Sequence, residues 1–202
     1  MMGRRVDPFD WSGGHPALDF VNTLDERPSD VPIENLATYD ALVRFAELAG
    51  LIEPSASERL QSLKGPACAR IARRARELRE HLYAVLAATH VEQPMPQGSL
   101  DAIASEVRRA HAARAFSPAG ASTVMVRHHW LPPVSREIPL HACALAIEAL
   151  LVSADRSRIR KCVAADCEVY FIDTSKAHRR QWCSMQNCGN REKQRRWRSV
   201  AY

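Results

Sequence analysis

Cys162-Val-Ala-Ala-Asp-Cys167 and Cys183-Ser-Met-Gln-Asn-Cys188 are two Cys-x4-Cys pairs separated by fifteen residues. Each pair fits on a tight turn that points two thiolates at one ion, and together they supply the four soft donors of a tetrahedral zinc site. Four cysteines also permit two disulfides or an iron–sulfur cluster. Disulfides fit poorly with the reducing cytoplasm expected for this chain. Zinc is the reading that also meets the demands of size. The segment 156–202 has 47 residues and few large apolar side chains, too few to hold a fold through a core alone. A structural Zn2+ contributes about 10–16 kcal/mol in small domains of this kind. Four thiolates close the coordination sphere, so Cys162, Cys167, Cys183 and Cys188 predict a structural site with no open catalytic position.

The elements that must position these thiolates are short. Glu168 to Asp173 alternates as a strand, Gln181-Trp182-Cys183 is its expected return partner, and Asn187 to Arg198 has the composition of a terminal helix. A knuckle, a hairpin and a helix whose start carries the second ligand pair is the layout of a treble clef. Trp197 is expected to pack back on the hairpin with Trp182 and Phe171.

Charge separates this segment from the rest. Residues 156–202 hold twelve Lys/Arg and four Asp/Glu, a net +8, whereas the preceding 155 residues hold 16 and 19, a net −3. A mildly acidic body with a basic tail points to a polyanionic partner, or to a tail that serves solubility. On a helix, Arg191, Arg195 and Arg198 fall at i, i+4 and i+7, with Lys193 and Arg196 beside them and Arg179-Arg180 upstream. Such a surface can contact phosphates and pair with guanine in a major groove. Docking on an acidic protein and binding RNA are the alternatives. A single finger has a small footprint, so useful DNA affinity is expected to need a homodimer.

The body reads as mostly helical. Helices are predicted over 15–27, from Thr38 to Ala49 with Gly50 as terminator, and after a capping box at Ser55-Ala56-Ser57-Glu58. The clearest period is Ile71, Ala75, Leu78, Leu82 and Val85, which gives a helix from Gly65 to about His90. Another is expected to be capped by Ser99, to run through Leu100, Ile103, Val107 and Ala110, and to end at Pro118 to Gly120. Ala121 to Leu131 alternates as a half-buried strand carrying Val124, Val126, His128 and Trp130. Pro139 to Ala154 is apolar nearly all round and reads as a central helix. Cys68 and Cys143 lie on apolar helical stripes and read as packing. The boundary is placed at Ala154 to Arg158, giving domains 1–154 and 155–202. The fold class is α+β, a predominantly helical N-terminal domain with a few strands and a small C-terminal finger.

Asp19, Asn22, Thr23 and Glu26 would share one face of the first helix, with Arg27 and Arg44 as neighbours in a pocket for a small polar ligand. The competing reading is a polar face turned to water. Catalysis is not expected. His128 and His129 point to opposite faces of one strand, and the sequence has no phosphate-binding glycine loop, nucleophile elbow or HExxH motif. The longest strongly apolar stretch, the thirteen residues Leu140–Val152, is too short to span a bilayer. No apolar run follows Arg4 and Arg5, so the expected location is the cytoplasm, with no membrane partner.

Two stretches carry a family resemblance. Cys188-Gly189-Asn190-Arg191, preceded by Arg180-Gln181-Trp182-Cys183-Ser184-Met185 and by Phe171-x-Asp173-x-Ser175, resembles the CGNR-type zinc finger over residues 158–199. Gln181 departs from it, standing where the second arginine of an Arg-Arg-Trp-Cys run is expected, with Arg179-Arg180 one position earlier. Leu18-Asp19-Phe20-Val21-Asn22-Thr23, with Leu48-Ala49-Gly50-Leu51, resembles the ABATE domain that accompanies this finger, loosely over 14–150. The resemblance implies a bacterial, stress-responsive transcription regulator whose N-terminal domain senses a ligand.

Overall fold

The structure is a computed structural model that describes residues 7–119 and 125–200. Arg4, Arg5, Gly120, Ala121 and Val124, named above from the sequence, lie outside the described residues. In chain order the elements are α1 (Pro16–Val21), β1 (Leu24–Asp25), β2 (Ile33–Glu34), α2 (Tyr39–Leu48), α3 (Pro54–Gln61), α4 (Pro66–His90) and α5 (Gln97–Ala112). There follow β3 (Arg114–Pro118), β4 (Val126–Trp130), α6 (Ile138–Val152), a 3-10 turn (Ala154–Arg158), β5 (Ile159–Lys161), β6 (Tyr170–Ile172), a π turn (Met185–Gly189) and α7 (Asn190–Val200). Among the described residues the strands form three antiparallel pairs, β1–β2, β3–β4 and β5–β6.

The chain folds as two compact units: Leu36–Leu151, and Met1–Asn35 together with Val152–Tyr202. In the first, α2 starts at Thr38, whose hydroxyl accepts the Ala41 N–H at 3.1 Å, and stops where Gly50 takes φ +69°. That left-handed conformation is accessible to glycine at little cost and turns the chain out of the helix. The α4 stripe is as the period predicts, with Cys68, Ile71, Ala75, Leu78, Leu82 and Val85 all buried. Helix α6 is buried on most of its circumference, Cys143 included, and burial pushes the Cys143 thiol up, which leaves it unreactive. Arg74 on α4 ties this unit together, pairing with Glu106 of α5 at 2.9 Å and with Glu137 just before α6.

Several local expectations are corrected. Helix α3 starts at Pro54 with Glu53 as N-cap, so Ser55 forms no capping box. Ser57 is buried and donates to Glu47 at 2.7 Å. Proline at a first helical position sets the start two residues earlier than the Ser/Glu pattern implied. Ser99 likewise lies inside α5, 3.2 Å from His81 Nδ1, because Pro96 occupies the cap position. Helix α5 stops at Ala112, and β3, which the sequence reading missed, takes Arg114–Pro118 as the partner of β4. Strand β4 is not half-buried in alternation: Val126, Arg127 and His128 are all exposed, and only His129 and Trp130 are partly covered.

The second unit joins both ends of the chain. Helix α1 runs only to Val21; the Thr23 hydroxyl donates to the Phe20 carbonyl at 2.7 Å, and Asn35 N–H to the Thr23 carbonyl at 3.1 Å. Those bonds divert the chain into the β1–β2 ladder, so no helix reaches Arg27. At the other end, β6 pairs with β5 in the register Ile159↔Ile172, Arg160↔Phe171, Lys161↔Tyr170. Gln181–Cys183 is therefore not the strand partner of β6, although Val163 N–H still donates to the Gln181 carbonyl at 3.0 Å.

Candidate metal centre and basic helix

The turn between β5 and β6 holds the first cysteine pair. Cys162 N–H donates to the Val169 carbonyl at 2.9 Å, closing the neck of the turn, and Cys167 N–H donates to Ala164 at 3.0 Å, curling its tip. The second pair spans the entry to α7. Ser184 caps the π turn with its hydroxyl, accepting the Asn187 N–H at 3.3 Å, and Cys188 sits within that turn. Arg180 braces the approach: its guanidinium lies 4.3 Å over the Phe171 ring, and it donates to the carbonyls of Trp182 and Cys183. Asp173, fully buried, accepts from Ser175 N–H at 2.9 Å, the Ser175 hydroxyl at 2.6 Å and Arg180 N–H at 3.0 Å. The Ser175 hydroxyl and these backbone donors hold the Asp173 carboxyl down to about 2.

The four sulfur atoms lie within 4.8 Å of one another. Cys167 and Cys183 are 3.8 Å apart and Cys183 and Cys188 3.5 Å. A tetrahedron with Zn–S bonds of about 2.3 Å has sulfurs roughly 3.8 Å apart, so the cluster is the size zinc requires. All six cysteines are free thiols. The cysteines pack with Ala164 and Phe171, with Val169 and Trp182 against them, a small core that depends on the metal for its remaining cohesion. The site holds structural Zn2+ on Cys162, Cys167, Cys183 and Cys188.

The motif residues around the ligands have local work. A Cβ on Gly189 would stand 2.7 Å from Met185 Sδ, so the position is crowded against any side chain. Asn190 donates to the Gln186 carbonyl at 3.3 Å, capping the π turn. Arg191 donates to Cys188 Sγ at 3.3 Å and to Asp166 at 2.8 Å. Arg195 donates to the other Asp166 oxygen at 2.7 Å and to Glu192 at 2.6 Å. Asp166 lies in the first cysteine turn, so one carboxylate holds two arginines of α7 against the metal knuckle. These contacts span 25 and 29 residues and leave no local pattern in the sequence.

The other predicted cations are placed variously. Lys193, Arg196 and Arg198 are exposed along α7, and Arg179 is exposed in the preceding loop. Trp197 does not pack on the hairpin. It is 72% exposed, whereas Phe171 is fully buried, because Asp166 turns the Arg191/Arg195 side of α7 toward the finger and leaves Trp197 on another side.

At the N-terminal end, Asp19 accepts Gly13 N–H at 2.9 Å. A Cβ on Gly13 would meet Asp19 Oδ1 at 2.7 Å, so this approach requires glycine. Burial pushes the Asp19 carboxyl up to about 7. Asn22 donates to the Tyr170 carbonyl at 2.9 Å and accepts Tyr170 N–H at 3.0 Å, and Ile172 N–H donates to Gly13 at 2.9 Å. The 18–23 motif thus attaches the N-terminal segment to the free edge of β6. Thr23 is fully buried. Asn22 and Arg27 line a cavity of about 570 Å³ with Asp25, Asp166 and Arg191 that also takes in Cys167, Cys183 and Cys188 and so adjoins the metal site, and Asp19 and Thr23 are not among its lining residues. Arg44 belongs to the 36–151 unit and pairs with Glu47 at 3.2 Å.

A β-turn knuckle and a helix start converging on four thiolates define a zinc-finger protein. Residues 158–200 match the CGNR zinc finger, and residues 14–154 match ABATE, described as "Putative stress-induced transcription regulator". The chain belongs to the ABATE family and carries a CGNR zinc finger. No curated protein matches it. Neither matched family is an enzyme type, and no helix is long and apolar enough to cross a membrane.

Proposed function

We propose that this protein is a cytoplasmic transcription regulator that binds DNA through its finger, a treble clef in layout, with α7 as the contact element. The observation that carries the reading is the disposition of α7. The zinc ligand Cys188 fixes its start, and its exposed surface carries Lys193, Arg196 and Arg198. Arg191 and Arg195 keep part of their surface open, at 43% and 47% exposure, so both can add phosphate contacts. A rigid helix bearing several cations meets the sugar-phosphate backbone first and reads bases second. Arg179 extends the basic surface, whereas Arg180 acts by bracing the finger. The test is a fluorescence-anisotropy titration of zinc-loaded protein against a random-sequence duplex. Affinity should fall steeply with salt through counterion release and drop on Lys193→Ala/Arg196→Ala/Arg198→Ala. A wild type that binds no duplex at low salt overturns the reading and turns attention to acidic proteins as partners. Dimerisation, by doubling the footprint, would bring one finger per protomer to a two-part site.

The small-ligand reading is supported by the cavity of about 570 Å³, within the range of ligand pockets. It draws Asn22 and Arg27 into one site and leaves Asp19, Thr23 and Arg44 with structural partners. Thermal-shift screening of wild type against an Arg27→Ala variant checks it: a ligand of this cavity stabilises only the former.

A further inference from the structure

Trp197 stands out from the rest of the finger's aromatic residues. Phe171 is fully buried and Trp182 packs against the cysteine cluster, but Trp197 is 72% exposed, the most exposed aromatic side chain among the described residues. Phe116, the next, is covered on one side by His128 at 4.3 Å; no ring or cation lies over Trp197 among the described residues. A large apolar side chain left in water forgoes the stabilisation that burial would have supplied, so the position contributes little to the fold. Its surroundings are specific. Lys193, Gln194, Trp197 and Arg198 line one shallow depression on α7, so that an indole, an ammonium and a guanidinium share one patch of surface. Neither Lys193 nor Arg198 makes an ion pair among the described residues, in contrast to Arg191 and Arg195, which Asp166 holds.

An exposed indole sharing a patch with two unpaired cations matches one kind of occupant best. A nucleotide base offers a π face to the ring while its flanking phosphates meet the cations. The carboxylates of an acidic peptide would satisfy the cations without offering the indole a planar partner, which every nucleotide supplies beside its phosphate. A base inside a continuous stack cannot present its face, so the base concerned has to be unstacked. Building on the DNA reading above, we infer that Trp197 is a stacking platform for an unstacked base, with Lys193 and Arg198 clamping the adjoining phosphates. The class of ligand becomes DNA with an accessible base: a single strand, or a duplex that yields at a flexible step.

The test uses full-length, zinc-loaded protein, a fluorescein-labelled oligothymidine 15-mer and a perfectly paired duplex of the same length. Wild type, Trp197→Ala and Trp197→Phe are titrated by anisotropy at two salt concentrations, and zinc content confirms that each is folded. One stacked base is worth roughly 5- to 100-fold in affinity. Trp197→Ala should lose that factor on the single strand, with the salt slope unchanged because no charge is removed, and Trp197→Phe should keep most of it. Indole emission in wild type minus that in Trp197→Phe should be quenched by the oligonucleotide. If Trp197→Ala binds the single strand as tightly as wild type, the platform is wrong and DNA binding stands. If wild type binds neither probe, the DNA reading falls and takes the platform with it.

Discussion

Asn22 donates to one side of the Tyr170 peptide and accepts from the other, joining residues 148 apart in sequence. The pattern Asn-Thr at the end of an apolar helix looks like a polar face for a ligand, because sequence shows donors and acceptors without showing where they are satisfied. Asn22→Ala would orphan a buried N–H and C=O together, and a loss of about 1–3 kcal/mol in urea unfolding is expected. Asp19 gives a pH signature. Its carboxyl titrates near 7 in the folded protein against 3.8 ordinarily, chiefly through burial. Between those values the folded state binds more protons than the unfolded, so its contribution to stability falls as pH rises through that window. Asp19→Asn keeps an acceptor for Gly13 N–H and removes the charge. Its melting temperature should exceed wild type by a few degrees at pH 8, with the gap narrowing as pH falls and closing below about pH 4, where the carboxyl is protonated in both states. Asp166 sits between the two Cys-x4-Cys ligands and neutralises Arg191 and Arg195. Asp166→Asn should therefore bind duplex DNA more tightly than wild type, with a salt slope steeper by about 1 as the Arg191 guanidinium becomes free for phosphates, Arg195 keeping its pair with Glu192.

At the scale of elements, legibility followed the strength of the local signal. The α4 stripe repeats over 25 residues, long enough for period alone to locate both ends. The four cysteines were legible because tetrahedral coordination imposes a spacing. The β5–β6 pairing was not, since each strand has only three residues and Ile159-Arg-Lys carries no alternating pattern. What selects the pairing is the knuckle itself: once Cys162 and Cys167 share an ion, the chain on either side must run antiparallel. Register in this hairpin follows the backbone bonds of the turn, Cys162 N–H to the Val169 carbonyl and Cys167 N–H to that of Ala164, which an ion shared by the two thiolates would reinforce. Chelation should accordingly do more than expose thiols. Removing zinc should abolish the near-ultraviolet circular dichroism from Trp182, which packs on the cysteine cluster, while most helical far-ultraviolet signal from α4, α5 and α6 persists. Loss of DNA binding should track the near-ultraviolet change, because α7 is aimed only while Cys188 is held.

For the whole molecule, sequence similarity and compactness divide the chain differently. The family matches meet between residues 154 and 158, whereas the folded units assign Met1–Asn35 to the same body as Val152–Tyr202. Charge agrees with that assignment: residues 1–35 carry seven Asp/Glu against three Arg, and residues 152–202 carry twelve Lys/Arg against five Asp/Glu. The acidic segment covers the free edge of β6 through Asn22 and Gly13, and its Leu18, Phe20 and Val21 are essentially fully buried. A small metal-bound fold gains its stability from zinc and from whatever core surrounds the site, and the two are linked: weakening one lowers the apparent affinity of the other. Deleting residues 1–35 should therefore leave all four ligands present and still speed zinc loss to a competing chelator by at least roughly tenfold, the equivalent of about 1.4 kcal/mol of lost support. Adding a synthetic 7–35 peptide should slow that loss again. Equal release rates with and without the segment would mean that the finger is self-sufficient, and that the Asn22 clamp attaches the N-terminal segment without stabilising the metal site.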